Sequence, residues 1–305
     1  MRLGVLDVGS NTVHLQVMDA HVGARPTPTS NHKIDLRLTE YLESDGRVSE
    51  EGISLLLDAI KESVTHAKNF DTQEILAFAT SALREARNGS QIISKINEHF
   101  DIDLQILSGQ DEARLTFLAV RRWLGWSAGK LLVLDIGGGS LEIALGEDES
   151  PEFAFSLSLG AGRLTRDFLT GDPYSSKSIS NLEKYVSDTV RNSLPDSIRN
   201  HAADQIVATS KTFRTLARIA GVWYGDSPKS LEANGLIGAI PRLGDMSNAQ
   251  RAALPGVSAG RAPQILAGAI VAHEIMEFLN LTKLEICPWA LREGLILKWL
   301  DWMEK

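Results

Sequence analysis

From Leu3 to Leu6 the chain runs apolar into Asp7, crosses Gly9, Ser10, Asn11 and Thr12, and then alternates Val13, Leu15 and Val17 with His14, Gln16 and Met18. The same order returns as Leu131 to Leu134, Asp135, Gly137 to Ser140, and Leu141, Ile143 and Leu145 alternating with Glu142, Ala144 and Gly146. A period of two predicts strands, and the small residues between them predict two equivalent β-hairpins with tight loops. Elsewhere the period becomes helical. Ile53 to Phe70, Gln91 to Phe100 and Asp111 to Leu124 read as helices, with strands at Glu74 to Ala79 and Leu104 to Leu107. The second half predicts strands at Phe153 to Leu159, Gln205 to Ala208 and Lys283 to Cys287. Its helices fall at Gly162 to Leu169, Leu182 to Leu194, Thr212 to Ala220 and Ala262 to Leu279. Residues 222–260 lack a period, carry Gly and Pro throughout, and read as a lid or an insertion.

The doubled hairpin predicts two structurally equivalent α/β domains. Their junction is expected in "GWSAGK", giving an N-terminal domain over 1–124 and a C-terminal one over 125–305, with the helix at about 290–305 packing back on the first. A length of 305 residues is enough for both cores. Hydrophobic residues at 43% and charged residues at 23% exclude a disordered or fibrous chain. A single cysteine, Cys287, excludes an internal disulfide. With no secretory leader and no apolar run of spanning length, the expectation is a cytoplasmic protein without membrane association. The net charge of −8 excludes broad adhesion to nucleic acid or anionic lipid, which needs clustered Lys and Arg. An anionic substrate then requires a locally positive cleft.

The two loops supply such a place. Gly9, Ser10, Asn11 and Thr12, and Gly137, Gly138, Gly139 and Ser140, are residue types whose backbone N–H groups form an anion nest. One copy alone reads as a tight turn; two copies of the whole strand, Asp and loop unit point to phosphate. Asp7, Asp135 and Glu142 beside these nests would repel a phosphate unless a hard cation lay between, so Mg²⁺, with Mn²⁺ as the alternative, follows from the phosphate reading. Both aspartates also fit turn formers, and Glu142 a solvent-facing strand residue. Ser108 and Asp111 fit a helix cap, placing Glu112 in a first turn where the dipole favours a carboxylate. On pattern alone Glu112 is a capping residue. Arg84, after the small-residue turn Thr80 to Ala82, is the best arginine for a phosphate. "HEIME" at 273–277 lacks a second metal-type His and reads as one amphipathic helix.

Taken in order, "DVGSNT", "ATSALREARN", "ILSGQDEARL", "LDIGGGSLEI", "LGAGRLT", "VATSKTFRTLA" and "LREGLIL" give a chain that resembles the exopolyphosphatase / guanosine-pentaphosphate phosphohydrolase family over essentially its whole length. The resemblance implies a two-domain actin-like ATPase (ribonuclease H-like) fold, each domain a five-stranded mixed sheet flanked by helices, with the active site in the interdomain cleft. It implies a short form, without the extra C-terminal helical domains of longer relatives. It makes Glu112 the water-activating base, against the capping reading. Asp135 and Glu142 become metal carboxylates, with Asp7 a third, and Ser10, Asn11, Arg84 and the Gly137 to Ser140 loop become phosphate-binding. Inorganic polyphosphate is the implied substrate, guanosine pentaphosphate the alternative, a binding sensor without turnover a third reading, and a homodimer the implied assembly. Three departures stand out: Asp111 in place of the more usual Glu, Lys211 where a Gly is usual, and "CPWALREG" in place of the usual final motif.

Overall fold

The computed structural model describes residues 1–21, 26–200 and 202–303, which divide into two α/β units, Met1–Leu115 with Leu291–Lys305, and Thr116–Ala290. The first unit contains β1 (Arg2–Val8), β2 (Thr12–Asp19), β3 (Thr27–Asp35), α1 (Glu50–Asn69), β4 (Glu74–Ala79), α2 (Ser81–Glu85), α3 (Gly89–Phe100), β5 (Leu104–Ile106) and the start of α4 (Gly109–Leu124). Its sheet has the order β3-β2-β1-β4-β5, with β1 antiparallel to β2 and parallel to β4. Leu6, Val13 and Leu15 on the sheet pack against Leu56 and Ile60 of α1. Ser49 caps that helix, its hydroxyl accepting from the Gly52 N–H at 3.2 Å, and Glu50 and Glu51 complement the dipole of its first turn.

The second unit contains the rest of α4, then β6 (Leu131–Ile136), β7 (Leu141–Gly146), β8 (Phe153–Leu157), α5 (Ala161–Phe168), α6 (Ser176–Ser193), β9 (Gln205–Ala208), α7 (Ser210–Tyr224), β10 (Ser230–Glu232), α8 (Ala233–Asp245), α9 (Asn248–Ala252), α10 (Ile265–Phe278) and β11 (Lys283–Ile286). Its sheet runs β10-β11-β9-β6-β7-β8, six strands where five were expected, because the short β10 adds antiparallel to β11 at the edge. The stretch expected to be a lid or insertion is instead built structure. Residues 222–260 hold the end of α7, then β10, α8 and α9, and Leu236, Ala239 and Leu243 of α8 belong to the main core. Pro241 inside α8 and the glycines beside it mask the helical period in the sequence.

The units divide within α4, between Leu115 and Thr116, upstream of the "GWSAGK" stretch. Arg121 gives the physical reason: its buried guanidinium donates to the carbonyl of Gly129 at 2.6 Å and lies against Phe117 and Trp126, tying the second half of α4 to the residues after it. The last helix, α11 (Leu291–Met303), belongs with the first unit, where Ile296 and Leu300 pack with Leu3, Val5, Met18 and Phe78. Gly294 lets α11 approach α4, since a Cβ there would overlap the carbonyl of Leu115. Among the described residues, no helix is long and apolar enough to cross a membrane.

Candidate active site

The two hairpins match position by position. In the first, Asp7 pairs with His14 across β1 and β2, and the loop closes with Gly9 N–H donating to the Thr12 carbonyl at 3.0 Å. In the second, Asp135 pairs with Glu142 across β6 and β7, and Gly137 N–H donates to the Ser140 carbonyl at 2.9 Å. Each inner strand has a parallel neighbour on its other side, β4 or β9.

In the second unit, α5 fixes the glycine loop from outside. The carbonyl of Gly137 accepts from Ala161 N–H, that of Gly138 from Arg163 N–H, and that of Gly139 from Arg163 Nε, each at 3.0 Å. With three successive carbonyls turned to α5, the N–H groups of Gly138, Gly139 and Ser140 have no acceptor among the described residues, which is the wiring of an anion nest. Gly160 permits this contact, because a Cβ there would overlap the Gly139 backbone. Directly opposite on the next strand, Asp135 and Glu142 face the same side of the sheet, as cross-strand partners do. Glu142 is only 5% exposed, so it is not the solvent-facing strand residue its position allowed. Ser156 on β8 donates to its Oε1 at 2.9 Å. Two hard oxygen donors side by side, one of them buried and oriented by a neighbour, fit Mg²⁺ or Mn²⁺.

In the first unit the structure brings together Arg84 and Glu112. Ser108 caps α4, its hydroxyl accepting from the Asp111 N–H at 3.1 Å and donating to Asp111 Oδ2 at 2.6 Å. Ser108 therefore does the capping, with its hydroxyl held by the Asp111 carboxylate. Glu112 is 7% exposed and ion-paired with Arg84, whose Nη1 also donates to the carbonyl of Leu107 at 2.8 Å. Ser10 and Asn11 are buried in the first loop, with Ser10 Oγ 2.9 Å from Ser81 Oγ and the Asn11 carbonyl taking the N–H groups of Leu36 and Arg37.

Asp7 has a neighbour that sequence reasoning missed. Arg292, on α11, has its Nη1 at 3.7 Å from Asp7 Oδ2 and hydrogen-bonds His14 Nδ1. Burial pushes the Asp7 carboxyl up to about 6, against the pull of the Arg292 cation. Burial, and then the same cation, hold His14 down at about 4, so its imidazole is neutral and accepts from Arg292. Ser156 and Arg163 were missed as well. Arg292 stands in the "LREGLIL" motif, and His14 stands where the second hairpin has Glu142; those were the available signals.

Lys211 lines a crevice of the second unit with Thr212, Thr215, Arg261 and Gln264. The left-handed residue of that turn is Ser210, at φ 69°, so Lys211 lies in the helix and its position makes no demand for glycine. On α10, His273, Glu274 and Glu277 are the one group of three close metal-type donors found among the described residues; Glu277 lies 3.6 Å from His273 and 3.9 Å from Arg191.

Two α/β units, each with a mixed sheet and each opening on the same hairpin, are a fold of the actin-like class. The model of the Ppx/GppA phosphatase family matches residues 17–303, and the chain belongs to that family. Exopolyphosphatase 1 of Mycobacterium tuberculosis is 50% identical over 305 residues, covering 99% of this chain and 89% of the relative. Exopolyphosphatase 1 of Mycobacterium leprae is 48% identical, covering 99% and 90%. Among solved structures, an exopolyphosphatase from Cytophaga hutchinsonii superposes with a TM-score of 0.87 at 25% identity, covering 99% of this chain and 98% of that one.

Proposed function

We propose that the chain is a metal-dependent exopolyphosphatase of the cytoplasm, hydrolysing the terminal phosphoanhydride bond of inorganic polyphosphate and releasing orthophosphate. The observation that carries the reading is the Asp135 and Glu142 pair beside a glycine loop whose three carbonyls are all held by α5. The 50% identity to mycobacterial enzymes of that name supports the substrate class.

In this reading the Gly138, Gly139 and Ser140 amides hold the oxygens of the terminal phosphoryl group without adding charge that must be desolvated. Asp135 and Glu142 would hold Mg²⁺ or Mn²⁺, which would supply charge neutralisation at the phosphoryl oxygens. Arg84 contributes a guanidinium fork, and the Gly9 to Thr12 loop further phosphate contacts. Glu112 accepts a proton from the attacking water, and the leaving chain departs as a shortened polyphosphate. As the product phosphate leaves, Glu112 gives up its proton to solvent and returns to its Arg84 pair.

The test is orthophosphate release from polyphosphates of defined short and long length, with and without Mg²⁺, beside guanosine pentaphosphate at equal concentration. The reading expects metal-dependent release from polyphosphate at the higher kcat/KM. Faster hydrolysis of the nucleotide would transfer the assignment to it, and tight polyphosphate binding without release would make the chain a sensor. The family resemblance also supports a homodimer; a monomer mass alone by light scattering would remove that part.

A further inference from the structure

The two hairpins share strands, register, leading Asp and loop closure, yet one partner residue differs. Opposite Asp135 stands a second carboxylate, Glu142, whereas opposite Asp7 stands a neutral imidazole, His14. A dicarboxylate suits a divalent cation. One carboxylate and one neutral acceptor suit a single, permanently charged, planar donor, and Arg292 is there, its Nη1 at 3.7 Å from Asp7 Oδ2 and hydrogen-bonded to His14 Nδ1.

We propose that Arg292 is the fixed cation of the first hairpin, standing beside Asp7 and His14 where a divalent ion stands beside Asp135 and Glu142, and that it binds an oxygen of the substrate's phosphate chain. The inference rests on the metal assignment made above. It also changes the role of Asp7, which holds a guanidinium and is not a metal ligand. A guanidinium has five N–H donors, and Asp7 and His14 engage only Nη1. The Arg292 Nε is buried without a partner, and no acceptor among the described residues takes Nη2. Donors left over on a cation oriented by two neighbours are what a phosphoryl oxygen requires. The arrangement also gives a reason for α11 to return to the first unit, since that return delivers the cation to the end of β1.

The experiment measures Mn²⁺ binding directly, by loss of the free-ion paramagnetic resonance signal, for the wild type, D7N and E142Q, each first shown to melt cooperatively. It then measures KM and kcat for polyphosphate in R292A and R292K. Mn²⁺ affinity is expected to be unchanged in D7N and to fall in E142Q. R292A should bind Mn²⁺ as the wild type does while its KM rises on the order of 10- to 100-fold, the usual weight of a charged hydrogen bond, with R292K recovering part of the loss. Weakened Mn²⁺ binding in D7N matching that in E142Q, or an unchanged KM in R292A, would overturn the proposal. Unaltered Mn²⁺ binding in E142Q would instead fault the dicarboxylate assignment, and the KM of R292A would still decide the role of Arg292.

Discussion

Arg84 is ion-paired with Glu112 at the start of α4, so the guanidinium assigned to the phosphate and the carboxylate assigned to the water share one contact. The Leu107 carbonyl holds the same Nη1, which keeps Arg84 in place when Glu112 takes up a proton. R84A leaves a buried carboxylate without its cation. It should lower stability by about 1–3 kcal/mol and raise KM. R84K should recover more of the stability than of the KM, because a point charge pairs with Glu112 but lacks the fork that grips a phosphate. Urea melts and steady-state kinetics on both variants check this; equal recovery of the two quantities would contradict it.

Arg163 holds the Gly139 carbonyl away from the nest through its Nε. R163A frees that peptide to turn, and KM should rise by roughly 10-fold for one lost hydrogen bond, with a melting curve close to wild type. G160A should do more damage. A Cβ there overlaps the Gly139 backbone, so the loop itself must move and activity should be largely lost. Kinetics that rank the two variants the other way would fault the bracing role of α5.

Ser156 is the orienting neighbour of Glu142. Partners of this kind typically carry about 10- to 100-fold in metal affinity. S156A should therefore demand more Mg²⁺ for half-maximal activity while keeping kcat at saturating metal. A drop in kcat that added Mg²⁺ does not restore would place Ser156 elsewhere in the chemistry.

Much of this arrangement is legible along the chain, for a physical reason. Both hairpins show because large apolar side chains, all of them buried, recur at every second position through Val13, Leu15 and Val17 and again through Leu141, Ile143 and Leu145. The edge strand β3 does not show, because TPTSNHKID has no buried face and is held by its backbone ladder to β2. The helix α8 is hidden by Pro241 and its glycines, and β10 is too short to carry a period. Of the candidate site residues, Asp7, Asp135 and Glu142 are visible because each flanks the loop of its own hairpin. The partnership of Arg292 with His14 spans nearly the whole sequence and depends on where α11 packs, which no local pattern records.

Asp7 and His14 lie side by side and titrate with opposite consequences. His14 sits at about 4 in the folded chain against an ordinary value of 6.5, so its contribution is intact above 6.5 and is lost as pH falls towards 4. Asp7 sits at about 6 against 3.8, so its contribution is intact below 3.8 and is lost as pH rises through about 6. Between pH 6.5 and 4, H14Q should lose less stability than the wild type, by roughly 1–3 kcal/mol. D7N should gain on the wild type as pH rises from 4 to 7. Denaturant melts across that range test both signs, and slopes identical to wild type in both variants would contradict the placement of the pair.

The proposed water activation rests on Glu112, and E112Q keeps its shape and its place in the first turn of α4 while removing the proposed base. The decisive measurement is orthophosphate release by E112Q and wild type at saturating polyphosphate and Mg²⁺, with the melting temperature of each recorded. The account predicts a kcat lower by about 10²- to 10⁴-fold in a folded E112Q. A folded E112Q that releases orthophosphate at close to the wild-type rate would contradict it.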